Sequence, residues 1–125
     1  MYDAELALEI LIQIHRATQI ILKRCEPIKT ADDFTGTDEG LEKLDAICMQ
    51  LIAIGESLKK LDKATEYSLL PKYPQIDWKK VKGMRDVISH QYFDLDAEAV
   101  YSVCKNHLDP LADTIARIIK DMQSR

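Results

Sequence analysis

Arg85, His90 and Tyr92 stand in the run Arg85-Asp86-Val87-Ile88-Ser89-His90-Gln91-Tyr92, and their side chains suit phosphodiester chemistry. A guanidinium is permanently charged and forked, so it can hold the non-bridging oxygens of a phosphate. An imidazole titrates near neutrality, so it can take a proton from a ribose 2′-hydroxyl or return one to a leaving oxygen. Together they supply what phosphodiester cleavage without a metal requires. A phenol ordinarily titrates near pH ~10, which makes Tyr92 a contact or modification site before it is a base. Asp86 lies four residues before His90 and, on one continuous helix, shares its face. There it can fix the tautomer of the ring, or it can serve as a plain surface ion pair.

Spacing restricts these roles. Five helical steps of about 100° leave Arg85 and His90 about 140° apart and ~7.5 Å along the axis. They converge only if the helix frays at His90, if the arginine reaches back, or if a second copy of the chain brings the other half of the site.

Charge points the same way. The 125 residues carry a net charge of -4, which argues against indiscriminate nucleic-acid binding. Yet Lys72, Lys79, Lys80, Lys82 and Arg85 face only Asp77 between positions 72 and 85, whereas Asp32, Asp33, Asp38, Glu39, Glu42 and Asp45 crowd another segment. The basic stretch leads into the candidate site, and Lys79, Lys80 and Lys82 are candidate RNA contacts. Tyr73, Trp78 and Phe93 flank it and could stack on bases, although core anchoring is the expected use of Trp78. His15 and His107 read as partly buried structural histidines.

The elements that must position these groups are helical throughout. Length allows one domain, residues 1–125. A first helix is expected from Tyr2 to Arg24, with Ala7, Ile10, Leu11, Ile14, Ala17 and Ile21 in one stripe and Leu8 and Ile12 widening it to two packed sides. Glu26 to Gly36 reads as a loop. Thr37 caps a second helix, in which Leu41, Leu44, Cys48, Leu51, Gly55 and Leu58 repeat every three or four residues and Gly55 admits a neighbouring backbone. A loop with Pro71 and Pro74 follows. Asp77 caps a third helix running through Arg85 to about His90, Asp96 caps a fourth, and Asp109-Pro110 restarts the chain into a last helix burying Leu111, Ile115, Ile118, Ile119 and Met122. The expected fold is all-α, an antiparallel bundle of four to five helices.

Several classes drop out. No stretch reaches the ~20 apolar residues of a membrane span, and the acidic start Met1-Tyr2-Asp3-Ala4-Glu5 differs from the basic start of a signal peptide, so a cytoplasmic location is expected. Cys25, Cys48 and Cys104 are odd in number, far apart and set among apolar neighbours, as reduced core thiols are. There is no Glu-x-x-His pair, no glycine-rich phosphate loop and no serine nucleophile elbow. No metal and no cofactor is expected.

The chain also resembles a known family, the HepT-like members of the HEPN superfamily, the toxin halves of toxin–antitoxin pairs. The resemblance is carried in order by Thr30-Ala31-Asp32-Asp33-Phe34, Ile54-Gly55-Glu56-Ser57-Leu58, the loop from Pro71 to Trp78, Gly83-Met84-Arg85-Asp86 and Ser89-His90-Gln91-Tyr92-Phe93-Asp94. The family signature of Arg, four residues, His, one residue, Tyr falls on Arg85, His90 and Tyr92. The resemblance implies a homodimeric, metal-independent endoribonuclease with both signatures lining one cleft. It also implies a cognate minimal nucleotidyltransferase, the antitoxin, that adds AMP to Tyr92 and silences cleavage. The alternative is a catalytically silent helical subunit that binds the nucleotidyltransferase.

Overall fold

Asp3 starts the first helix by accepting the Leu6 N–H at 3.0 Å, and Lys23 and Arg24 meet the negative end of its dipole. In the computed structural model, which describes residues 2–91 and 94–124, with His90 and Gln91 by backbone alone, this helix is α1, Ala4–Cys25. Its buried residues Ala7, Leu11, Ile14, Thr18 and Ile21 pack against α3, Asp38–Ala64, and α7, Leu108–Gln123. The wide apolar arc of α1 is therefore covered on two sides within the chain.

Thr37 caps α3 through the Gly40 N–H at 2.9 Å, as its position predicts. Leu44, Cys48, Leu51, Gly55 and Leu58 are buried, but Leu41 is 43% exposed and lies outside the expected seam. The other side of that first turn is filled instead. The segment expected as loop contains a helical turn, α2, Asp32–Thr35, which buries Phe34 completely. The Asp33 carboxylate accepts the backbone N–H groups of Lys29 and Thr30 at 2.7 and 3.3 Å, and the α2 backbone rests on Gly40, where a Cβ would stand 2.1 Å from the Asp33 oxygen. Helix α3 ends without glycine. Glu66 and Tyr67 take left-handed φ values of 55° and 61°, and the Tyr67 N–H donates to the Asp62 oxygen at 2.7 Å.

The loop that follows is held from inside. Leu69 and Leu70 are buried, the Trp78 Nε1–H donates to the Tyr73 carbonyl at 2.8 Å, and the Tyr73 hydroxyl donates to Asp121 at 2.7 Å. Tyr73 and Trp78 are thus core anchors and offer no open ring to a base. Phe93 lies outside the described residues.

The expected third helix is broken twice. Asp77 caps α4, Trp78–Lys82, by accepting the Lys80 N–H at 3.1 Å; Gly83 separates it from α5, Met84–Ile88. Ser89 then turns to extended backbone (φ -137°, ψ 128°), and Ser89–Gln91 forms β1. It pairs antiparallel with β2, Asp94–Leu95, Ser89 facing Leu95 and Gln91 facing Asp94, with an irregularity between them. Glycine is a poor helix former, and a helix this short is fixed by its buried residues, here Met84 and Ile88, rather than by propensity.

Asp96 caps α6, Ala97–Ser102, through the Ala99 N–H at 2.9 Å, and its own N–H donates to the Ile88 oxygen at 2.8 Å. The last helix starts at Leu108, one residue before the expected Asp109-Pro110. A π-helical segment, Val103–His107, joins α6 to α7. Pro110 has no N–H and its ring would strike the carbonyl four residues back in a regular helix, and the wider turn accommodates it. Leu111, Ile115 and Ile118 are buried and Ile119 and Met122 half-buried, as expected. The architecture is the all-α bundle that periodicity implied, with one short two-stranded ladder. Among the described residues no helix is long and apolar enough to cross a membrane.

Candidate active site

Helix α3 is the platform for the signature. At Gly55 the end of α4 comes so close that a Cβ would stand 2.8 Å from the Val81 oxygen and 3.1 Å from the Lys82 oxygen. The backbone just before α5 is seated directly on α3, as the glycine led one to expect. Met84 and Ile88, four residues apart, then fasten one side of α5 into the core. Arg85 and Asp86 fall on the other side and are exposed. Neither makes an ion pair or side-chain hydrogen bond among the described residues. Ile88 is the last helical residue, so the chain leaves α5 two residues before His90, whose backbone lies in β1.

That break alters two expectations. The 140° separation of Arg85 and His90 on a continuous helix no longer applies, because an extended residue, Ser89, intervenes. By the same token Asp86 and His90 do not share a helical face, and the argument for Asp86 as orienter of the ring loses its basis. Tyr92 lies outside the described residues.

The basic segment is divided in its use. Lys79 and Lys80 are exposed. Lys82 instead places its Nζ 2.5 Å from Asp62, a carboxylate of α3 that is only 4% exposed. Its expected part in holding RNA gives way to neutralising a buried charge, since an ionised carboxylate out of water must be paired. Sequence reading missed Asp62 because nothing local distinguishes it from the solvated acids around it. Beside α4 and α5 lies a groove of about 440 Å³ with Val81, Met84, Val87 and Leu111 along it and Lys80 and His107 at its edge. His107 is exposed there, contrary to the expectation of partial burial. His15 is half-buried as expected.

The thiols are not all alike. Cys48 is buried, and burial, aided by the nearby Asp45 charge, pushes its thiol up to about 12. Cys25, at the end of α1, and Cys104, in the π-helical segment, are brought together, which their sequence separation concealed. Among the described residues no three His, Cys, Asp or Glu side chains are grouped as metal ligands.

Comparison with known proteins bears out the family resemblance. The family model described as HepT-like, Ribonuclease HepT-like, matches residues 5–118. The chain is 35% identical over 80 residues to "Putative RNase MJ0125" of Methanocaldococcus jannaschii, covering 64% of this chain and 66% of that protein. It is 35% identical over 80 residues to "Putative RNase MJ1216" of the same organism, covering 64% and 63%, and 32% identical over 94 residues to "Putative RNase MJ0127", covering 75% and 72%. The match thus spans just under two thirds of the length of the first two relatives. No solved structure matches. The family match runs from the first turn of α1 into α7 and takes in α3, α5 and the strand bearing His90, so the chain belongs to the HepT-like ribonuclease family.

Proposed function

We propose that this protein is a metal-independent endoribonuclease that cleaves RNA with Arg85 and His90. One observation carries the reading: an exposed guanidinium without a partner among the described residues, on the outer side of an anchored helix whose end places the His90 backbone two residues beyond Ile88. His90 takes the proton of the 2′-hydroxyl, the 2′-oxygen attacks the adjacent phosphorus, and the 5′-oxygen leaves. Arg85 offsets the charge that accumulates on the non-bridging oxygens. The products are a 2′,3′-cyclic phosphate and a 5′-hydroxyl. Exposed Lys79 and Lys80 guide the backbone of the substrate toward Arg85. The names of the relatives support RNA as the substrate class.

The working form is a homodimer with both signatures in one cleft, in which Leu6 and Ile20, exposed fourteen residues apart on one side of α1, mark apolar surface for a second copy. Regulation is by a cognate nucleotidyltransferase antitoxin that adds AMP to Tyr92, bringing negative charge and bulk into a cleft that must admit phosphates.

The test is cleavage of single-stranded RNA by the purified protein in the presence of EDTA. Expected are cyclic phosphate ends, no cleavage of DNA, and losses of at least about tenfold in rate for His90→Ala and Arg85→Ala as folded dimers. Undiminished cleavage by His90→Ala would trace the activity to a contaminant and favour the silent, partner-binding subunit. Intact mass after co-expression with the nucleotidyltransferase should show an adenylate increment on the wild type and none on Tyr92→Phe.

A further inference from the structure

Cys25 closes α1 and Cys104 lies in the π-helical segment, yet both line one small cleft of about 160 Å³ together with Lys29, Tyr101 and Lys105. The walls are tied across, because the Tyr101 hydroxyl donates to the Lys29 carbonyl at 2.6 Å. Cys25 is half-buried and Cys104 buried.

We propose that Cys25 and Cys104 form a redox-active dithiol, in which Cys25 reacts with small disulfides and Cys104 resolves the product as an intramolecular disulfide. The two sulfurs share a contact that lowers the Cys25 thiol, while the same contact and burial raise Cys104. A thiolate is the attacking species and must be reached from solvent, so the half-buried Cys25 goes first and the buried Cys104 follows. Lys29 and Lys105 outnumber the one acid in the lining, Glu26, and favour an anionic disulfide such as oxidised glutathione. The Cys25 thiolate, having lost its proton to solvent, bonds to one sulfur of R–S–S–R, and the other leaves as a thiolate that takes up a proton. Cys104 then loses its proton and attacks the Cys25 sulfur; the mixed disulfide breaks and the second small thiolate departs and is protonated. Two protein thiols are oxidised and one small disulfide is reduced to two thiols. Cys48 is near enough to Cys104 for its charge to raise that thiol, but it is buried and outside the cleft lining and takes no part.

The experiment treats the native chain with oxidised glutathione, alkylates remaining thiols and maps the unreduced peptides by mass. The wild type should lose two hydrogens and yield a Cys25–Cys104 cross-link, with Cys48 alkylated once the chain is unfolded. Cys104→Ser should stop at glutathione held on Cys25, Cys25→Ser should acquire neither, and Cys48→Ser should behave as wild type. A wild-type protein whose three thiols all remain alkylatable, or whose cross-link includes Cys48, would overturn the proposal. Should a serine variant fail to fold by circular dichroism, the wild-type map decides alone. The readout involves no RNA, so it is independent of the ribonuclease reading.

Discussion

Gly55→Ala tests whether α3 truly seats the active-site segment. In an unobstructed helix the change would stabilise by about 1 kcal/mol, the difference in helix propensity. Here the new Cβ would stand 2.8 Å from the Val81 oxygen. An ordinary carbon–oxygen approach is ~3.3 Å, so the carbonyl must retreat by about 0.5 Å. A backbone group cannot swing aside as a side-chain tip can, and overpacking of this kind costs about 1–3 kcal/mol. Taking about 2 kcal/mol for the clash leaves a net loss of about 1 kcal/mol, opposite in sign to the unobstructed case. With a urea m-value of ~1.5 kcal/mol/M the midpoint falls by about 0.7 M. The displaced element leads directly into α5, so cleavage by the folded variant should fall as well. Gly40→Ala is the control, because its Cβ would strike the Asp33 oxygen of α2, at 2.1 Å, and not the α4–α5 segment. It should lose more stability while the folded fraction keeps its specific rate. A Gly55→Ala protein more stable than wild type at unchanged m would refute the close approach, and one equally destabilised but fully active would refute its link to the site.

Lys82→Met leaves the Asp62 carboxylate buried without its partner and should cost about 2–3 kcal/mol, the lower part of the range for broken buried pairs because Lys82 is partly solvated; adding Asp62→Leu should recover most of it in urea denaturation. Lys80→Gln and Lys79→Gln should each reduce the slope of log K against log salt for single-stranded RNA binding by about 0.7, whereas a folded Lys82→Gln should leave the slope unchanged. Cys48 holds its proton to about pH 12 in the folded chain and releases it near 9 when unfolded, so unfolding is favoured as pH rises through that window. Replacing it by Ala should therefore make the alkaline fall in stability shallower by about 1 kcal/mol per pH unit between those limits, measured by denaturation at successive pH values.

The bundle was legible because apolar periodicity and a capping residue coincide at four helix starts. Asp3, Thr37, Asp77 and Asp96 sit before apolar periodic runs, and each accepts a backbone N–H at its helix start. Departures arise where a tertiary contact overrides the local signal. Phe34 draws a polar stretch into a helical turn because its ring is wholly buried. Helix α3 stops on Glu66 and Tyr67, residues that carry none of the glycine signal a left-handed end normally shows. Asp109-Pro110 marks the start of the last helix to within a residue, but periodicity cannot reveal the π-helical segment, Val103–His107, that leads into it.

The candidate site shows the same division more sharply. Residue types identified Arg85 and His90 as chemistry, but the helical wheel that set them apart assumed one element where the chain uses two. Val87 and Ile88 continue the helical pattern in sequence, and only the ladder between Ser89–Gln91 and Asp94–Leu95, with the Asp96 N–H on the Ile88 oxygen, ends the helix there. Such pairing depends on residues beyond any helical window. The consequence is functional as well as descriptive. A histidine on a continuous helix would be held at a fixed angle from Arg85, whereas here the backbone turns extended at Ser89 and the two residues belong to different elements, an anchored helix and a strand. In the proposed cleavage the helix break matters because it sets the backbone of Arg85 and that of His90 in two separate elements.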